Sequence, residues 1–255
     1  MRILMVGDVV GRPGRRAVRA LVPALRQELG LDLVIANGEN AAGGYGITPA
    51  TAQELLEAGV DVLTSGNHIW DQKEIVPYLD QEVPLLRPLN FPPGTPGRGA
   101  LRLGGVLVVN LMGRVFMQPL EHPFLTIDRF LNGLRDRPPV VLVDFHAEAT
   151  SEKQAMGWYL AGRVSAVLGT HTHVPTADAR VLPGGTAFVT DVGMVGPRDS
   201  VIGDTKESVL ERFLTLLPNR LEVAAGPVRF SSVLVEVDSA TGRASAIQRI
   251  DREVE

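Results

Sequence analysis

Short aliphatic runs alternate with amphipathic stretches along the first third of the chain, and that alternation leaves few folds open. Ile3–Val6, Leu33–Ile35 and Val62–Leu63 read as strands. Between the first two, Gly14 to Leu29 repeats Ala17, Val18, Leu21, Val22 and Leu25 at helical spacing, with Pro23 expected to kink the helix. Thr48-Pro49 opens a helix through Leu56, threonine capping it and proline in its favoured first position. Strand–helix–strand alternation builds parallel sheets. A short helix over Lys73–Leu79 and a short strand at Leu85 follow, and then Arg87–Gly99, with four prolines and three glycines, is too broken for regular structure.

The second half is richer in strands. A hairpin over Leu101–Leu111 turns at Gly104-Gly105. Further strands are expected at Val140–Val143, Val164–Leu168, Arg180–Leu182 and Ala187–Thr190. A last hairpin pairs Val228–Val237 with Ala244–Ile250. Helices are expected over Pro123–Leu134, from an N-cap at Ser151 to Leu160, and over Glu207–Leu216. No repeat or long linker divides the chain, so one α/β domain with mixed sheet over residues 1–255 is the expectation.

Composition removes several functions. A chain of 255 residues, 45% of them hydrophobic and 21% charged, is an ordinary globular sequence. The absence of cysteine excludes disulfides, thiolate zinc sites, iron–sulfur clusters and thiol nucleophiles. Net charge is −4, which argues against a stable nucleic-acid complex but allows a locally positive pocket. No apolar run approaches the roughly 18 residues of a membrane span, and Met1–Val6 is too short for a signal-peptide core. A cytoplasmic protein without membrane partners is expected.

The chemistry lies at the strand ends. Five predicted strands each deliver metal-ligand types just past their C-termini: Asp8; Glu39 and Asn40; Asn67 and His68; His146; and His171 with His173. Ligands bind outside the carboxyl ends of strands in open α/β sheets, where loops from distant sequence positions converge. Any one of these residues alone is accounted for as a cap, a turn or a core histidine. Jointly they are not, because five independent turns have no reason to share one donor inventory. Carboxylates, carboxamides and imidazoles suit iron, manganese or zinc. These eight groups exceed the needs of one ion. Two ions about 3.5–4 Å apart would occupy most of them, with a bridging hydroxide as nucleophile for phosphoester hydrolysis.

The blocks Gly7-Asp8, Ser65-Gly66-Asn67-His68, Asp144-Phe145-His146-Ala147 and Gly169-Thr170-His171-Thr172-His173 resemble those of the calcineurin-like metallophosphoesterases. Three fuller spellings resemble the YmdB-like branch of that superfamily: Gly7-Asp8-Val9-Val10-Gly11, Asn37-Gly38-Glu39-Asn40-Ala41-Ala42-Gly43-Gly44 and Thr190-Asp191-Val192-Gly193-Met194. The resemblance implies an α/β/β/α sandwich, two mixed sheets flanked by helices, with a dinuclear metal centre. It implies that Asp8, Glu39, Asn40 and His173 hold one metal, that Glu39 bridges, and that Asn67, His146 and His171 complete the other. His68 takes the place of the family's proton donor. The implied activity is phosphodiester hydrolysis, with small substrates such as cyclic nucleotides.

One departure from the wider superfamily bears on the metal. Val10 stands where most members have histidine, and Glu39-Asn40 replaces the usual bridging aspartate. A carboxamide oxygen in place of imidazole makes a harder site, which favours iron or manganese over zinc. Substrate-binding residues are not identified: Arg114 and Arg198 are candidates to steady a phosphate but read better as surface charge, and Phe116 is a candidate to stack a nucleobase but reads better as core packing. Tyr45 is a candidate for base stacking, and Asp191 for orienting a histidine ligand. Oligomers are common among such enzymes, but no stripe in the sequence marks an interface. The competing reading is a regulatory protein that keeps the site to sense a nucleotide and acts through partners.

Overall fold

A computed structural model describes all residues from Met1 to Glu255. The first half runs β1 (Arg2–Val9), α1 (Gly11–Leu29), β2 (Leu33–Asn37), α2 (Pro49–Glu57), β3 (Val62–Thr64), α3 (Ile75–Leu79), β4 (Ala100–Leu103), β5 (Val106–Met112) and α4 (Pro123–Gly133). The second half runs β6 (Val140–His146), α5 (Thr150–Leu160), β7 (Ala166–Thr170), β8 (Arg180–Leu182), β9 (Thr186–Val189) and β10 (Met194–Pro197), then α6 (Lys206–Thr215). It closes with β11 (Val228–Phe230), β12 (Ser232–Val237), β13 (Ala244–Arg249) and β14 (Arg252–Val254).

Two mixed sheets pack face to face. The first has eight strands centred on β1, which pairs in parallel with β2 along one edge. Along its other edge β12 runs antiparallel from Arg2 to Val6, and β10 takes over in parallel at Asp8 and Val9. The second sheet has six strands in the order β4-β5-β6-β7-β9-β8, parallel at its centre and antiparallel at both edges. The parallel pairs β1–β2–β3 are those expected from the early strand–helix alternation, whereas β5–β6–β7, in the half expected to contribute antiparallel strands, are parallel as well.

Side-chain alternation along each strand builds three apolar layers. Ile3, Met5, Leu33, Ile35 and Val62 of the first sheet meet Val108, Val140, Leu142, Leu168 and Val189 of the second in the inter-sheet core. Leu4, Val6, Val34 and Ala36 face outward, under α1, α2 and α3. Val109, Val141, Val143 and Phe145 face outward from the second sheet, under α4 and α5. The molecule is thus an α/β/β/α sandwich, and none of its helices is long and apolar enough to cross a membrane.

Several local expectations are corrected. α1 begins at Gly11, three residues earlier than expected, and runs on through Pro23 to end at Gly30 in the left-handed conformation. Leu85 forms only an isolated bridge with Leu63. The N-cap of α5 is Ala149, and Ser151 lies inside the helix, where no side chain caps the end. β7 lies two residues further on than expected, which brings His171 directly after its last residue. Residues 228–237 form two strands: β11 pairs with β10, the chain breaks at Ser231, and β12 then crosses to β1. β10 and β14 are short and carry no periodicity that the sequence reveals.

Gly7 is one of the tightest points of the frame. Here β1 takes two residues where β2 takes one, so the register shifts between Val6 and Asp8. A Cβ on Gly7 would run into the carbonyl oxygen of Gly193, a backbone atom that cannot yield. Gly7→Ala is therefore expected to cost roughly 3 kcal/mol in denaturant unfolding, the upper end of overpacking. Gly105→Ala, where an added methyl meets open space, should change stability by less than about 0.5 kcal/mol.

Candidate metal centre

The inter-sheet layer changes character along the strands. In β2 the inward positions run Leu33, Ile35 and then Asn37; in β6 they run Val140, Leu142 and then Asp144 and His146. In β3 and β7 the same switch ends on Thr64 and Thr170. These polar ends meet across the seam. Buried Asp144 accepts from Thr170 Oγ1 at 2.7 Å, from Asn37 Nδ2 at 3.4 Å and from Thr64 Oγ1, so one carboxylate ties both sheets. Burial pushes its carboxyl up to about 6, against the pull of neighbouring His146 and the two threonine hydroxyls. His146 rests on this layer, its Nδ1 3.0 Å from Thr170 Oγ1.

Asp8 joins the layer through the irregularity at Gly7. Without the extra residue its side chain would follow Leu4 and Val6 outward; with it, Asp8 pairs with Asn37 and shares that residue's inward face. Its Oδ2 accepts the backbone N–H of His171 at 3.2 Å.

The remaining groups come from loops. Glu39 follows β2, and its Oε2 accepts the N–H of His68 at 3.0 Å. Asn40 donates from Nδ2 to the carbonyl of Gly44 at 2.8 Å, which leaves Oδ1 facing the site. Asn67 follows Gly66, whose missing side chain admits the His146 ring. After β7 the chain passes His171 and His173, both in the left-handed region at φ 104° and 66°. Such backbone in non-glycine residues persists only where surrounding structure imposes it. Asp191 imposes it here, accepting from both the N–H and the hydroxyl of Thr172 between the two histidines, at 3.1 and 2.8 Å. Lys153, from α5, holds Asp191 in turn through a fully buried ion pair of 2.6 Å.

The side chains converge on His146 Nε2. Glu39 Oε1 lies 2.9 Å from it, Asn67 Oδ1 3.0 Å and His171 Nδ1 3.0 Å. The other nitrogen of His171 is held by Glu148 at 2.9 Å. His173 turns its Nδ1 to the carbonyl of Ile202 at 2.6 Å, and lines the same cavity of about 330 Å³ as Glu39, Asn40, His68 and His171. Asp8 Oδ1 and Asn40 Oδ1 are buried without a hydrogen-bond partner. Each such acceptor costs about 1–3 kcal/mol unless something positive meets it.

Charge is strongly perturbed at this point. Burial resists charge on Glu39, yet His146 and His68 outweigh it and hold the carboxyl down to about 2. Burial also opposes protonation of His146, but Glu39 and Asp8 raise it to about 9. His171, buried against that imidazolium, is pushed down to about 3. Asp8 shifts the other way from Glu39: burial raises it, and the opposing pull of His173 and of His146, 3.8 Å away, does not outweigh that. Two buried carboxylates and several imidazole and carboxamide lone pairs thus face one small volume, and such a donor set fits a hard or borderline cation. Glu39, His146 and His171 form a metal-binding cluster, their ligand atoms all within 4.8 Å of one another.

All eight residues singled out from the sequence therefore lie together at the carboxyl ends of the strands. Thr64 escaped notice, and Asn37, Thr170 and Asp144 stood in the motifs without a role read for them. Their signal was a polar residue ending an apolar period-two run. Asp71, Glu148 and Lys153 carried no signal at all. Arg198 is surface charge as expected, paired with Asp199 and Glu253. Phe116 contradicts its expected place in the core and is 89% exposed.

The YmdB-like protein family matches residues 4–250. Over 254 residues the chain is 50% identical to the 2′,3′-cyclic-nucleotide 2′-phosphodiesterase of Bacillus subtilis (strain 168), covering 98% of this chain and 96% of that protein. A crystal structure of a hypothetical protein from Thermus thermophilus superposes with a TM-score of 0.93 at 50% identity, covering 99% of each chain. A crystal structure of a novel phosphatase from Mycoplasma pneumoniae gives 0.93 at 34% identity, covering 99% of this chain and 93% of that one.

Removing Lys153 leaves Asp191 charged and buried beneath the histidine loop. Lys153→Ala should destabilise the fold by about 3–5 kcal/mol in chemical denaturation.

Proposed function

The chain belongs to the YmdB-like family of calcineurin-like metallophosphoesterases, and on that premise we propose that it is a metal-dependent phosphodiesterase hydrolysing small phosphodiesters, 2′,3′-cyclic nucleotides foremost. The observation that carries this reading is the convergence of Glu39, Asn67 and His171 on one nitrogen of His146, beside the unpartnered oxygens of Asp8 and Asn40. The half-identical relative from Bacillus subtilis supplies the substrate class.

Two cations fit this donor set. Asp8, Glu39, Asn40 and His173 would hold one; Glu39 would be shared, and Asn67, His146 and His171 would hold the second. The carboxylate and carboxamide oxygens around the first favour manganese or iron. Such cations, when bound, supply Lewis acidity, drawing charge from phosphoryl oxygens and making hydroxide available near neutral pH. The protein's own part is to fix the donors. His68 N–H and the Glu39 carboxylate lock one another, while Thr170 and Asp144 back His146 and Glu148 backs His171.

Hydrolysis adds water across one phosphorus–oxygen ester bond, and the departing alkoxide needs a proton. In this reading His68 gives it. Its Nδ1 lies 2.7 Å from Asp71 Oδ2, which fixes the ring, and Nε2 has no partner within the protein. Tyr45 meets the same ring edge to face at 5.2 Å and limits its swing.

Glu39→Gln or Asp8→Asn should lose bound metal, read by elemental analysis, together with turnover of 2′,3′-cyclic nucleotides. Full activity after exhaustive chelation would overturn the mechanism. His68→Ala should keep its metal content near the parent's while kcat falls by about 10²–10⁴. If that variant lost its metals instead, His68 would be a ligand and not the proton donor.

A further inference from the structure

We propose that Phe116 is a base-stacking platform at the mouth of the site, a subsite selecting phosphodiesters that carry a planar heterocycle; this rests on the phosphodiesterase reading above. Phe116 is 89% exposed, and its backbone sits in the left-handed region at φ 62°. Both features are unfavourable. An apolar ring gains nothing from water, and a turn that only needed this backbone would carry glycine or asparagine.

The surrounding chain does not leave Phe116 loose. Glu152 accepts the backbone N–H groups of Arg114 and Val115 at 3.0 and 3.1 Å, and Gly113 N–H donates to the carbonyl of His146 at 2.9 Å. On the other side, Met117 packs against the apolar layer under α4 and α5. Anchored on both flanks, the loop holds one ring out into solvent. Unfavourable conformations imposed in this way cluster where a ligand binds.

Its position names the ligand. Phe116 lines a cavity of about 510 Å³ with Asn67, His68, Asp71 and His171, so a group stacked on it belongs to a molecule whose phosphate reaches the donors. Arg114 and Gln118 beside it are exposed and polar, and a lone ring in a polar rim suits a flat small molecule rather than a protein surface. Phenylalanine offers a π face without hydrogen bonds, so the subsite should accept purines and pyrimidines alike.

The test compares two substrates with the same five-membered cyclic diester, 2′,3′-cyclic AMP and glycerol 1,2-cyclic phosphate, on the manganese-loaded protein. Phe116→Ala should lower kcat/KM for the nucleotide about tenfold, mainly through KM, and leave the glycerol ester within about twofold. Phe116→Trp should keep the nucleotide preference, and AMP should quench the fluorescence that this substitution adds. Equal loss on both substrates, no loss on either, or no quenching would overturn the platform. Should the unsubstituted protein hydrolyse neither ester, the phosphodiesterase reading itself fails and takes the platform with it. Turnover of both at a ratio untouched by Phe116→Ala defeats the platform alone.

Discussion

The layer between the two sheets is apolar for most of its length and polar at one end, and the site depends on that change. Asp144 makes the junction, taking hydrogen bonds from Asn37 and Thr64 of one sheet and Thr170 of its own. Buried polar groups of this kind are tolerated only when their partners are in place, and full satisfaction makes them rigid. The network gives His146 a floor and fixes which of its nitrogens is aimed outward. Loops contribute the other donors, but each loop starts from a strand whose end this layer has already positioned.

Much of this was legible in the residues. Parallel strands followed from the alternation of aliphatic runs with helical periodicity, and the convergence of Asp8, Glu39, Asn67, His146 and His171 followed from their places after those runs. Family motifs then joined the pieces. What escaped reading was set by contacts between distant segments. β10 and β14 are strands only because β1 and β11 offer them free edges. The break at Ser231 reflects a change of partner strand, which no local propensity records. Lys153 lies on α5 with nothing nearby in sequence to mark it, and its partner Asp191 is 38 residues away.

Phe116 shows the opposite failure. A phenylalanine next to Met117 and after Val115 reads as core, since burial is the ordinary fate of such a side chain. Here the loop is tied down by Glu152, a residue in the first turn of α5 that nothing in the sequence marks. Local preference was overruled at a point bordering the donors, where conflict between sequence and conformation is most informative. The histidine loop repeats the lesson, with left-handed backbone at His171 and His173 held by Asp191.

Because the donors are drawn from both sheets, the thickness of the sandwich acts as a gauge for their separation. Asp8 and Glu39 hang from one slab, His146 and His171 from the other, and Val233, Ala187 and Leu142 are among the shims between. Interiors packed at crystal-like density transmit a change of one methylene rather than absorbing it. A volume change far from these groups would thus be felt as a respacing of the donor side chains, so the choice between valine and leucine in the seam bears on the width of the cluster as directly as a substitution within it.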